Sequence, residues 1–334
     1  MHGGRAGMSG SSGRGRFGQE EIIFAIAVIV FGVFSVMVPD FLSAGNIVSM
    51  VQSVSVLGIL GLGMAITILG RGVDLSMVAS MSVAIAWMLV QLNAGAPLVQ
   101  ALPMAIAFSV LVGIINGVLV AYVEIPAIFA TLAIGVTVYG FGKFFLVESD
   151  VNHLPEAWRW LADMVAARPL GVPVPVIAFL GCAAVAHLGL RYLRDGRFIY
   201  AMGDNPIAAR TTGVPVRVMM VLQYVISALI ALLAGLIMTM LVTSMNTRIV
   251  SGTLVYDVIL VVVLGGISLS GGRGGILSVV VGTLLIGIML NGMTMLNLTY
   301  TAQNVIKALI LLLALVLDTL INPRDEQTAQ QGDI

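Results

Sequence analysis

Ten predominantly apolar stretches follow one another along this chain, separated by short polar or glycine-rich breaks. They fall at residues 21–38, 46–69, 75–92, 102–123, 126–147, 173–192, 218–244, 254–270, 276–296 and 303–321. A helix needs about 20 such residues to cross the ~30 Å hydrocarbon core of a bilayer. None alternates polar and apolar with a period of two, as the strands of a membrane barrel do. The composition, 59% apolar and 10% charged, leaves no soluble globular alternative. The chain therefore reads as an all-α integral membrane protein of about ten transmembrane helices. The second and seventh stretches are long enough to contain a break, a tilt or a re-entrant piece. The first lacks a small-residue cleavage site and reads as a retained span.

The basic residues orient the bundle. With a cytoplasmic N-terminus, the inner side holds Arg5, Arg14, Arg16, Arg71, Arg191, Arg194, Arg197, Arg210, Arg217, Arg273 and Arg324. The outer side holds Arg159, Arg168 and Arg248, and Lys143 and Lys307 lie within spans, which accounts for all 16 basic residues. This excess of inner arginines follows the positive-inside rule and puts both termini in the cytoplasm. Residues 1–20, rich in Gly, Ser and Arg, read as a disordered N-terminal tail, residues 21–322 as the membrane domain, and residues 323–334 as a C-terminal tail. The outer loop at 148–172, with Trp158 and Trp160 among charges, suits a short amphipathic piece at the membrane surface or an irregular ordered loop.

The longest polar interruption, residues 194–216, lies on the inner side. Asn205 is placed to cap a helix and Pro206 suits its first position. Ala208, Ala209 and Arg210 are good helix formers, and Gly213 with Pro215 beyond it can end the helix. A capped helix of about two turns in a loop of a membrane protein suits a docking knob, with Ala208 and Ala209 small enough for close approach; the other reading is a solvated loop with an incidental turn. A local echo relates residues 70–78 to 272–280, each beginning Gly-Arg-Gly, both at inner turns.

The chemistry present is sparse. Leu269-Ser270-Gly271-Gly272-Arg273 imitates the signature loop of ABC ATPases, but no Gly-x-x-x-x-Gly-Lys-Ser/Thr cradle exists in the chain, so it reads as a glycine turn. Cys182 stands alone, and the three histidines show no ligand spacing, so no metal or cofactor is expected in this chain. Ionisable groups within spans need a reason. Asp74 is placed to cap the third span or to pair with Arg71. Asp257 lies one turn into the eighth span, Glu124 sits in an inner turn, and Lys143 and Lys307 can snorkel outward. Gln52, Ser55, Asn116, Thr131, Asn291 and Thr294 are neutral hydrogen-bonding groups within spans. As a set they suit a path for a polyhydroxylated solute; singly, each also suits interhelical packing, as in Gly113-Ile-Ile-Asn116-Gly117.

Several stretches together resemble the permease subunits of bacterial sugar ABC importers of the ribose, xylose and arabinose type, within the branched-chain amino acid/sugar permease superfamily. They are Leu60-Gly61-Leu62-Gly63-Met64 running into Gly72-Val73-Asp74-Leu75-Ser76, Gly113 to Gly117 followed by Ile125-Pro126 and Thr131-Leu132, the 196–216 stretch, and Val263 to Gly274 with Asn291-Gly292. Arg71 departs from the family's usual small residue. The resemblance, over about residues 20–322, implies a type II-like permease fold in the bacterial inner membrane and transport of a monosaccharide or related polyol. It implies pairing with a second permease copy or paralogue, an ABC ATPase that binds ATP and Mg, and a periplasmic binding protein, with no nucleic acid among the partners and no enzyme activity in this chain. Arg197, Tyr200, Gly203, Asn205, Pro206, Ala208, Ala209, Arg210 and Gly213 would form the coupling element. Gly72, Asp74, Asp257, Gly272 and Arg273 are assigned to structure and turns. An ion- or proton-coupled secondary transporter is the alternative, but the acids cluster near span ends rather than at the midplane.

Overall fold

The structure, a computed structural model, describes residues 19–321. Its helices are α1 (Gln19–Met37), α2 (Ala44–Leu69), α3 (Met77–Asn93), α4 (Leu98–Ala121), α5 (Ala127–Phe141, continued by a π turn over Gly142–Leu146), α6 (Arg159–Ala166), α7 (Val174–Tyr192), α8 (Arg194–Asp204), α9 (Pro206–Thr211), α10 (Val216–Val242), α11 (Leu254–Gly265), α12 (Ile276–Met295) and α13 (Tyr300–Ile321). The expected tails lie outside the described residues, except that Gln19 and Glu20 open α1.

Every expected span falls on a helix. Six of these helices are long and apolar enough to cross a membrane, and the four over Glu21–Met37, Met77–Asn93, Leu254–Gly265 and Tyr300–Val316 are shorter. The chain is thus an all-α integral membrane protein, but helix lengths do not establish ten crossings. The expected 254–270 span is shortest because Gly266 takes φ 101°, a left-handed conformation that ends α11 at Gly265. Twelve residues rise only about 18 Å. Neither long stretch is interrupted: α2 and α10 run unbroken for 26 and 27 residues.

The core is built on α2, whose residues from Val54 to Leu69 are all buried. On one side α2 meets α10, which also packs on α4 and α3; on the other it meets α12 and α11. Glycines set the closest crossing. A Cβ on Gly113 would lie 2.8 Å from the Val225 Cα, and one on Gly117 would lie 2.5 Å from the Val221 Cα. The small-xxx-small face of α4 is therefore spent against α10. The outward faces of α4, α5 and α7 are apolar, with Leu111, Ile128, Phe129, Val136 and Leu180 exposed where hydrocarbon replaces water.

One end of the bundle carries an unexpected two-stranded antiparallel ribbon of β1 (Val151–His153) and β2 (Ser244–Asn246), with Asn152 opposite Met245. Beside it Asp150 bonds Lys143 Nζ at 2.8 Å and Arg248 Nε at 2.6 Å. The hydrogen bond from Lys143, then that from Arg248, holds the Asp150 carboxyl below the usual carboxylate range. Neither span lysine simply snorkels. Lys143 pairs with Asp150, and Lys307 reaches across from α13 to Asp257 on α11 at 2.7 Å. The opposite end gathers the turns at 70–76, 122–126, 193–215 and 266–275, where Glu124 pairs with Arg217 at 2.9 Å.

Candidate functional site

At this second end the polar 194–216 stretch folds as two helices. The second, α9, has the predicted local chemistry. Asn205 Oδ1 accepts from the Ala208 amide at 3.0 Å, and Pro206 occupies the first turn. Gly213 adopts φ 85° beyond the helix end, and the Val214 amide returns to the Ala209 carbonyl at 3.1 Å. Ile207, Ala208 and Arg210 face outward. Ala209 is buried against its own chain, so of the two alanines only Ala208 is open to a partner's approach.

The first helix, α8, is hidden in the sequence because two glycines and several charges obscure its period. Its glycines serve close packing instead. Gly196 lies against the Gly189 carbonyl and Leu190, and Gly203 lies against the Leu69 carbonyl and the Gly272 amide, with no space for a Cβ at either. The Tyr200 hydroxyl donates to the Gly274 carbonyl at 3.0 Å. Arg197 donates to the carbonyl of Tyr192, the last residue of α7, at 3.3 Å.

Three inter-span connections meet here. The Gly272 amide donates to the Leu69 carbonyl at 2.9 Å, so the two Gly-Arg-Gly stretches of the internal echo lie side by side. Arg71 donates from Nε to the Gly203 carbonyl at 2.8 Å and from Nη2 to the Asp204 carbonyl at 2.7 Å. It does so at φ 64°, a conformation uncommon for a non-glycine residue. Of the two placements expected for Asp74, the pair with Arg71 does not form, because the guanidinium is committed to these carbonyls, whereas the carboxylate does accept from a backbone amide, that of Ser76, just ahead of α3.

Asp74 instead turns inward. It is 1% exposed, and Oδ1 accepts from the Ser76 amide at 3.1 Å and the Ser76 hydroxyl at 2.7 Å. Its Oδ2 accepts from the Ser227 hydroxyl on α10 at 2.9 Å. Asn116 on α4 donates to Ser76 Oγ at 2.7 Å. Thr131 on α5 donates to the Val73 or Ala127 carbonyl and accepts from the Leu75 amide at 3.1 Å. Beside this network the buried Gln223 side chain and Tyr224 hydroxyl press against Gly70 and Gly72. Ser76, Gln223, Tyr224 and Ser227 were not anticipated as members. The available signal was Gln223 and Ser227, four residues apart on one face of an otherwise apolar stretch.

The path candidates divide. Asn116 and Thr131 belong to the network around Asp74. Asn291 exchanges hydrogen bonds with Asn46 at 2.8 and 2.9 Å near the opposite end. Ser55 and Thr294 donate to carbonyls of their own helices, at Val51 and Leu290. Gln52 lies half-buried on α2. The structure does not bring the six together. Among the described residues no group of three or more His, Cys, Asp or Glu could share a metal ion.

Residues 46–315 match the family profile described as "Branched-chain amino acid transport system / permease component". The chain is 33% identical over 317 residues to the "Ribose import permease protein RbsC" of Haemophilus influenzae, covering 93% of this chain and 96% of that one. It is 32% identical to the protein of that name in Bacillus subtilis, covering 89% and 90%. The "D-allose transport system permease protein AlsC" of Escherichia coli is 31% identical, with 90% and 91% covered. No solved structure matches the chain.

Proposed function

Because this chain belongs to the family of branched-chain amino acid transport system permease components, we propose that it is the membrane-spanning subunit of an ATP-driven importer of a monosaccharide. The observation that carries the reading is similarity along almost the whole chain to permeases named for ribose and allose import. A chain without a phosphate cradle needs a separate subunit for hydrolysis. We assign ATP and Mg to an ABC ATPase, sugar delivery to a periplasmic binding protein, and the second half of the pathway to another permease copy or paralogue.

In this reading the chain crosses the bacterial inner membrane ten times, with both termini cytoplasmic. The six long helices and four shorter apolar ones would share those crossings. The end that gathers the 70–76, 193–215 and 266–275 turns faces the cytoplasm, which agrees with its arginines. There α9 presents Ile207, Ala208 and Arg210 to the ATPase. The ribbon, Asp150 and the amphipathic α6 face the binding protein and the outer membrane surface. Residues 21–322 act as one membrane domain with 194–216 as its coupling loop.

Deletion of this chain from its host, followed by uptake of radiolabelled D-ribose and D-allose, tests the substrate class. Loss of energy-dependent uptake of one monosaccharide, restored by the chain in trans, is the expected result. Unchanged uptake of each monosaccharide assayed would contradict it.

A further inference from the structure

Arg71 occupies a position that glycine would fill at lower cost. Its φ of 64° is left-handed, yet glycines flank it on both sides and the arginine stands between them. Such strain persists when surrounding contacts over-determine it. The contacts are two charge-assisted hydrogen bonds to consecutive carbonyls, Gly203 at 2.8 Å and Asp204 at 2.7 Å. Both carbonyls belong to the last turn of α8, where helix carbonyls have no partner in the ladder and the dipole favours a cation. The next residue, Asn205, caps α9.

The same arginine is three residues from Asp74. The backbone from Gly70 to Ser76 is fixed at one end by Arg71 and at the other by the Asp74 bonds to Ser76 and to Ser227 on α10. Gly203 meets the Leu69 carbonyl with no space for a side chain. An unbroken series of contacts therefore runs from the exposed Ala208 on α9 through Asn205, Asp204, Arg71 and Asp74 to α10. We propose that Arg71 is a positioning residue that ties the α8–α9 arm to the 70–76 turn, so that displacement of α9 moves the start of α3 and the adjoining α10. This role rests on the transport reading above for its consequence, but not for its geometry.

Arg71→Gly separates strain from function. It removes both hydrogen bonds while relaxing the left-handed backbone, so the unfolding midpoint of the purified permease should stay at or above that of the parent. In the Cys182→Ala background, spin labels on cysteines replacing Ala208 and Val123 report the arm's position without any partner. The glycine variant should broaden that distance distribution. In vesicles with the ATPase and binding protein, it should move at least tenfold less of whichever labelled sugar, D-ribose or D-allose, the parent imports per ATP hydrolysed. Arg71→Lys, whose ammonium reaches one carbonyl in place of the fork, should fall between. An unbroadened distribution with an unchanged ratio would overturn the proposal. So would a lowered midpoint whose folded fraction keeps the parent ratio, since that marks a purely structural residue. If the parent complex itself shows no ATP-dependent uptake while the labels still broaden, the transport reading fails and the tether stands.

Discussion

Asp74 sits 1% exposed among hydroxyl and amide donors, with no ion-pair partner among the described residues. Burying a carboxylate is costly unless hydrogen bonds satisfy it. Asp74→Ala would strand Ser76 and Ser227 and should cost on the order of 3 kcal/mol, as leaving buried donors unmade does. Asp74→Asn keeps an acceptor for Ser76, and the Ser227 hydroxyl can rotate to accept, so it should lose much less. Unfolding midpoints of the two variants in one detergent check this difference. Asp150 provides a pH signature at the other end. Its carboxyl is lowered by Lys143 and Arg248, so its contribution is complete above the ordinary carboxylate range and fades as pH falls through the folded value. Acid titration of the Asp150→Asn variant should show a flatter loss of stability than the parent.

At the scale of elements, legibility followed from how local the determining interactions are. The α9 helix was readable because Asn205, Pro206 and Gly213 act within a few residues of themselves. Its predecessor α8 was not, because Gly196 and Gly203 are there for backbone approach by distant segments, which weakens the local helix signal. Asn116 and Thr131 could be singled out as buried polar groups. Their convergence on the 73–76 turn depends on how α4 and α5 pack beside the start of α3, which no single span encodes. The β1–β2 pairing joins residues about 90 apart and leaves only three-residue strands, too short to give a period. The outward face of α9 supports a specific expectation. Ala208→Glu places a charge where a partner would dock, without touching the buried Ala209. The variant should insert normally but lose stimulation of ATP hydrolysis by loaded binding protein, measured in reconstituted vesicles. Unchanged stimulation would remove α9 as the coupling element.

At the scale of the whole molecule, the two ends differ in chemistry as well as in shape. One holds the glycine turns and most of the arginines; the other holds the ribbon, the Asp150 network and the Lys307–Asp257 pair. Cysteines at positions 205 and 160, in a Cys182→Ala background, should label from opposite sides of the membrane. Labelling of both from one side would contradict the ten-crossing arrangement. The central claim, that this chain forms a sugar pathway driven by another subunit's ATP, has one direct measurement. Vesicles containing the chain and its ATPase, with binding protein outside and ATP inside, are supplied with labelled D-ribose or D-allose. The account predicts accumulation of one of these sugars that requires ATP, the binding protein and this chain together. Accumulation that persists without ATP and collapses with the ion gradient would contradict it.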